Sequence, residues 1–519
     1  MIKANLILLC IFLFATLGST QVEISVDRNT AIYQPGEIIQ FNLEGSGDAS
    51  YRIFSDRFTS SIEQGTIDLH SWETNTIHFQ ASEPGIYVCQ VYQNFQARIA
   101  AAAVAPLSIE TRMEPPADMM EFWNGQLAEL ASIPIDADLE FESSTEYSET
   151  YEFSLATVNN RRVYGYISIP KNGVGSYPAI LNLPAFGDNA NGTQVPEITA
   201  ERAGAITISI TIHNADVNEQ DPNAYEPDVI TNPDSLYYKL SVLAGIRAID
   251  YIFTRPEFDG QNMAVNGVSQ GGGLSMIIAG LDDRVKALAY SNSALCVNHG
   301  AVYDQASGFP YYLNQARGQN FSETEKRQTI EATSYVDAAF FAARYDGPSI
   351  GVVGYQDTIC PAQTVLTAHN ALRGPKALVH VKNLDHSHPN DYWDGRIDFY
   401  RRLFPAMQNP PWPFAQIRTG FYADAGADLT TTVGQSVNLT GAVFLEGEAN
   451  TVWDVDWTIE EGVGNVNLSD SNSRTTSATF SSAGTYLLRF TAYDKDRIDL
   501  DGEEAKLITI SDYVEVTVN

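Results

Sequence analysis

The chain has 519 residues, 44% of them hydrophobic and 18% charged. That is enough apolar side chain for large cores and too little charge for a disordered polymer. Its 31 Lys and Arg against 64 Asp and Glu leave a formal net charge of -33, a field that repels phosphate backbones and anionic lipid, so neither nucleic acid nor an acidic membrane surface is an expected partner.

In chain order, the first segment reads Met-Ile-Lys, an apolar run from Leu6 to Ala15, then the small residues Gly18, Ser19 and Thr20. These three regions predict a secretory signal peptide over 1–20, and hence a secreted protein, extracellular or periplasmic. Leu9 stands before Cys10 where a lipoprotein signal carries a small residue. No later segment holds the roughly 18 consecutive apolar residues of a membrane span, so membrane insertion is not expected. Cys89, Cys296 and Cys360 then remain, which allows one disulfide at most. There is no Cys-x-x-Cys and no His pair at zinc spacing, so a thiolate metal site lacks its ligands, and the reading implies no metal and no organic cofactor.

Residues 21–110 show short β-branched and aromatic runs between turn residues, such as Ile38 to Leu43 after Pro35-Gly36 and Gly85 to Val91 after Pro84. This pattern predicts an immunoglobulin-like β-sandwich. Residues 111–415 alternate instead. Strands are expected over 177–183, 263–267, 349–354 and 377–381, with helices over 238–254 and 272–281. Such alternation builds an α/β core around a mostly parallel sheet. Three prolines among residues 410–413 mark a stiff linker. Residues 416–519 return to β style, with Ser436 to Leu439, Val452 to Trp457 and Gly484 to Asp494. The Trp-x-x-x-Trp and Ala-Gly-Thr-Tyr strands resemble the polycystic-kidney-disease type of β-sandwich, and the region is expected to have its own core and to be dispensable for chemistry.

Gly267-Val268-Ser269-Gln270-Gly271 is a G-x-S-x-G pentapeptide between a predicted strand and a predicted helix, the context that aims a nucleophilic serine out of a sheet. A serine hydroxyl attacks only when a base takes its proton, and that base needs a carboxylate to hold its tautomer. Asp357 follows the 349–354 strand and His386 follows the 377–381 strand, in the order Ser, Asp, His of α/β-hydrolases. Asp357 is read as the orienting acid and His386 as the base. His388 is the alternative base, two residues on. His213 and His369 are read as packed or surface residues. The oxyanion of attack needs two backbone donors, for which the N–H groups of Gln270 and of Phe186, in the turn after the 177–183 strand, are the candidates.

At this point the residues resemble the acetyl xylan esterase and cephalosporin C deacetylase family, carbohydrate esterase family seven. The resemblance runs from Pro116-Ala117-Asp118 and Phe122-Trp123 through Arg162 to Pro170 and Tyr237-Tyr238. It continues in Gly267 to Leu274, Leu295-Cys296 and Asp357-Thr358-Ile359-Cys360-Pro361. It implies an α/β-hydrolase, an acyl-enzyme mechanism without cofactors, an acetylated carbohydrate as substrate, and a homo-oligomer, which the flanking domains leave open. Two departures stand out. Ile212-His213-Asn214-Ala215 replaces the family's Arg-Gly-Gln, and Ser387 replaces the glutamate after the catalytic histidine. The expected protein is a secreted serine carbohydrate esterase with an α/β-hydrolase core flanked by two all-β sandwiches. Its rivals are a general carboxylesterase or peptidase on the same fold, and a noncatalytic glycan-binding or adhesion protein.

Overall fold

The computed structural model describes residues 22–56, 61–70, 75–171, 176–187, 197–217, 230–313, 321–388, 392–407, 421–445, 448–449, 453–494 and 507–519. The predicted signal peptide and the proline-rich linker lie outside them.

The N-terminal module is two facing sheets. One orders Glu23–Val26, Ile38–Glu44 and Asn75–Gln80; the other orders Ile32–Tyr33, Gln96–Val104, Gly85–Gln93, Gly47–Ser55 and Glu63–Leu69. Period-two alternation puts Ile39, Phe41 and Leu43 on the inner face of one sheet, against Ile53, Cys89 and Val91 of the other.

A 13-stranded mixed sheet forms the rest of the frame. At its centre Ile206–Ile210, Tyr177–Leu183, Phe258–Val268, Val285–Ser291, Ser349–Gly354 and Lys376–Val381 lie side by side and parallel. These strands read as near-continuous apolar runs because helices cover both faces. Ile180, Ala264 and Ala287 point to one face, Leu181, Val265 and Leu288 to the other. The first of these faces is covered by Glu197–Ala203 and Tyr392–Leu403. Helices Met119–Ser132, Tyr237–Ile252, Gln270–Leu281 and Ala362–Ala371 cover the second. At one flank Arg162–Pro170, Ser148–Ala156 and Asp138–Ser144 add antiparallel strands, so the sheet is mixed and not parallel throughout.

The other flank departs from an independent C-terminal core. Strand Leu507–Val518 pairs antiparallel with Lys376–Val381 in the register Lys376 to Ser511 through His380 to Leu507. Gly484–Asp494 and Asp454–Glu461 then extend the same sheet. Trp457, Tyr486, Phe490 and Val516 belong to one apolar cluster with Ile180, Tyr400 and Phe404 of the α/β core. The N-terminal sandwich keeps its own sheets and shares an apolar cluster with the core's second face. Alternation in a sequence reports a strand and its buried side, and carries no information on which sheet that strand joins. Among the described residues no helix is long and apolar enough to cross a membrane.

Candidate active site

Ser269 sits between the end of strand Phe258–Val268 and the start of helix Gln270–Leu281 with φ 56° and ψ -121°. A positive φ is costly for a residue with a Cβ, of the order of ~1–3 kcal/mol, and persists only where neighbours over-determine it. Here Ser269 N–H donates to Ser291 O at 2.9 Å and Ala294 N–H donates to Ser269 O at 2.9 Å. Two glycines let the chain turn this tightly. A Cβ on Gly267 would lie 2.1 Å from the Gly271 carbonyl carbon, and one on Gly271 would lie 2.2 Å from Leu183 O. Neither close approach tolerates a side chain.

The strands Ser349–Gly354 and Lys376–Val381 end beside this turn and deliver the acid and the imidazole. Asp357 is fully buried. Its Oδ1 accepts the N–H groups of Ile359 and Cys360, both at 2.8 Å, and its Oδ2 lies 2.7 Å from His386 Nδ1. A carboxylate can only accept, so Nδ1 is the donor and Nε2 is left as the acceptor. His386 Nε2 lies 2.9 Å from Ser269 Oγ, which completes a continuous line of hydrogen bonds. His386 keeps about a quarter of its side chain exposed, at 23%, so the line is open to solvent at its middle member.

The turn after Tyr177–Leu183 lies against the start of the nucleophile helix. Gln270 is buried, its Nε2 donating to Pro184 O at 3.3 Å and its Oε1 accepting from Tyr238 O–H at 3.0 Å. The first N–H groups of a helix have no intrahelical acceptor, and that of Gln270 is the first here. Phe186, in the same turn, is exposed, with its ring edge-on to Phe309 at 5.0 Å between centroids.

The structure brings Ser269, Asp357 and His386 together. His388 is partly exposed two residues farther on, in the loop after the Lys376–Val381 strand. His213, in the segment that departs from the family pattern, is buried with Nδ1 2.5 Å from Tyr237 Oη, and Asn214 Oδ1 accepts Arg162 N–H at 2.8 Å. His369 is buried against the Tyr290 hydroxyl. Burial lowers its pKa well below the ordinary histidine value, and buried neutral histidines of this kind fill cores.

No local sequence signal places Cys360 beside the nucleophile. It is fully buried and unbridged, and its thiol interacts with the Ser269 side chain. Burial, with the neighbouring Asp357 charge, pushes that thiol well above the ordinary cysteine pKa, so it stands as a neutral neighbour of the nucleophile and not a thiolate. Asp357, Cys360 and His386 hold donor atoms within 4.8 Å of one another. The hydrogen bonds above already engage both carboxylate oxygens and both ring nitrogens, so a metal there would have to break the line to Ser269. No local signal points to Tyr311 either. Its O–H reaches Thr358 O at 3.2 Å and Ile359 O at 2.6 Å and pins the loop that carries Asp357.

A strained serine at the end of a central parallel strand, with acid and histidine past two later strands, defines an α/β-hydrolase. A family model of acetyl xylan esterases matches residues 108–403, and the chain belongs to that family of carboxylic ester hydrolases. An acetyl esterase of Xylanibacter ruminicola is 29% identical over 286 residues, or 52% of this chain; the matched part spans 64% of that relative's length. Among solved structures, an acetyl xylan esterase from a Paenibacillus species superposes with a TM-score of 0.52 at 23% identity, covering 57% of this chain and 98% of the other. Acetyl xylan esterase 1 from a Thermoanaerobacterium species gives 0.50 at 21% identity, covering 58% and 98%. At these identities the two structures speak for the fold.

Proposed function

We propose that the protein is an exported serine esterase that removes acetyl or other small acyl groups from carbohydrate. The observation that carries this reading is the unbroken hydrogen-bond line from Asp357 through His386 to Ser269, ending on a strained serine. In the proposed reaction His386 Nε2 takes the Ser269 proton as Oγ attacks the acyl carbon. Asp357 holds the ring and stabilises the imidazolium. Negative charge gathers on the former carbonyl oxygen, where the backbone N–H groups of Gln270 and Phe186 serve as donors. Collapse breaks the ester bond, and His386 gives the proton to the departing sugar oxygen, which leaves as a hydroxyl. Water, deprotonated by the same imidazole, then releases the acid and restores Ser269.

Family membership supports ester hydrolysis on carbohydrate, the apolar leader over 6–15 supports export, and the exposed Phe186 ring beside the oxyanion turn offers an apolar surface to a short acyl group. The test is turnover on acetylated xylan, acetylated oligosaccharides and aryl esters of graded acyl length, with Ser269→Ala in parallel. Rates should fall as the acyl chain lengthens, and Ser269→Ala should lose at least ~10³-fold while melting as the parent does. Highest rates on long acyl chains or on amides would move the assignment to the carboxylesterase or peptidase reading. Glycan binding without any turnover would move it to the adhesin.

A further inference from the structure

We propose that Asp56, contributed by the N-terminal sandwich, is a positioning residue for the catalytic acid: its carboxyl caps the helix that follows the Asp357 loop and holds that loop in place. The proposal rests on the serine esterase reading above. Asp56 follows strand Gly47–Ser55, is fully buried, and has its own N–H tied to Ile86 O at 2.9 Å. Its Oδ2 accepts the N–H of Gln363 at 2.7 Å across 307 positions of sequence.

Gln363 is the second residue of helix Ala362–Ala371, whose N-cap position is Pro361 with no side-chain cap of its own. Proline has no side-chain acceptor, so the orphan donors of that first turn need one from elsewhere. Five residues separate Asp357 from Gln363, and the segment is tied at both ends. Asp357 Oδ1 takes the N–H groups of Ile359 and Cys360, and Asp56 takes that of Gln363. The sandwich also holds the far end of the same helix, where Asn370 Nδ2 donates to Pro106 O and Ile109 O, both at 2.9 Å. The remaining Asp56 oxygen has no hydrogen-bond partner among the described residues. Burial, reinforced by the Asp357 charge and opposed by the Gln363 N–H, pushes the carboxyl up to about 8, so it caps as a neutral acceptor below that pH.

An acid displaced by a fraction of an ångström misorients His386 while leaving the substrate contacts intact, so the loss belongs in kcat. In the full-length protein acting on an aryl acetate, Asp56→Ala should lower kcat ~10-fold or more with KM within about twofold. Asp56→Asn, which keeps a neutral carbonyl oxygen for Gln363 N–H, should restore kcat to within about threefold of the parent. If Asp56→Ala does not fold, Gln363→Pro removes the same hydrogen bond from the other side, at a first-turn position that tolerates proline, and should show the same fall in kcat. A folded Asp56→Ala or Gln363→Pro with parental kcat overturns the proposal, as does an Asn variant as slow as the Ala variant. Ser269→Ala, measured alongside, separates the two claims. If it is inactive while Asp56→Ala is unchanged, only the role of Asp56 fails; if it keeps full activity, the serine reading fails and takes this role with it.

Discussion

The two β modules are attached to the α/β core in different ways. The N-terminal sandwich keeps its own two sheets and reaches the core through side chains, Asp56 and the Pro106 to Ile109 turn gripping the two ends of helix Ala362–Ala371. The C-terminal region gives up its separateness and joins through main chain, strand Leu507–Val518 continuing the central sheet beyond Lys376–Val381. Side chains reinforce that seam, with Tyr355 Oη 2.8 Å from His380 Nδ1 and His380 Nε2 3.0 Å from Thr509 Oγ1. Side-chain contacts at a loop act on geometry, whereas backbone pairing at a sheet edge acts on the integrity of the fold. The N-terminal module should therefore be felt in turnover and the C-terminal one in stability.

The widest separation between the two should come from a chain ending at Asn409. It would leave strand Lys376–Val381 as an unpaired edge and strip one wall from the apolar cluster around Tyr400 and Phe404, a combination that invites edge-to-edge association. We expect the melting temperature to fall by at least ~10 °C, or the chain to aggregate, as scanning calorimetry and light scattering would record. A truncated chain that melts like the parent would show that the shared sheet contributes little and that this region is a free-standing domain after all.

A smaller effect tests the other side. Asn370→Ala leaves the Ile109 carbonyl without its donor and the Pro106 carbonyl with only the Ile109 N–H at 3.5 Å, and should cost about 1–3 kcal/mol in denaturant unfolding. Asn370 is at the far end of the helix from Asp357, so kcat should stay within about threefold of the parent. A collapse of kcat there would mean that the whole helix, and not its capped start, positions the acid.

The finest distinction is a pH dependence. The native Asp56 carboxyl holds its proton up to about pH 8 against an ordinary value of 3.8, so between those limits the folded state binds more protons than the unfolded chain. Stability must then fall as pH rises through that window and level off above it. Asp56→Asn lacks this term. Its melting temperature should gain on that of the parent between about pH 4 and pH 8, and a difference that stays constant would mean that Asp56 is ionised in the fold.

Much of the core was legible because its signals are local. The G-x-S-x-G turn needs its glycines where Gly267 and Gly271 stand, and strands such as Tyr177–Leu183, Ser349–Gly354 and Gly484–Asp494 have the limits that their apolar runs predict. Asp357 and His386 could be picked out because each closely follows a strand end. The rest depends on long-range encounters that no short window encodes. Asp56 looks like any turn aspartate until its partner 307 residues away is known, and Cys360 looks like a core cysteine until the Ser269 turn folds beside it. The tail's alternating strands announced β structure without announcing that it would complete the hydrolase sheet.

The central claim, that Ser269 is made nucleophilic by His386 and Asp357, is tested most directly by covalent labelling. The protein is treated with a fluorophosphonate and the adduct located by peptide mass analysis, in the parent and in the Ser269→Ala, His386→Ala and His388→Ala variants. The account predicts a single adduct on the Ser269 peptide, absent from Ser269→Ala, slowed by at least ~10³-fold in His386→Ala, and formed at close to the parental rate in His388→Ala. Labelling that persists in Ser269→Ala, or that is lost in His388→Ala and kept in His386→Ala, would contradict it.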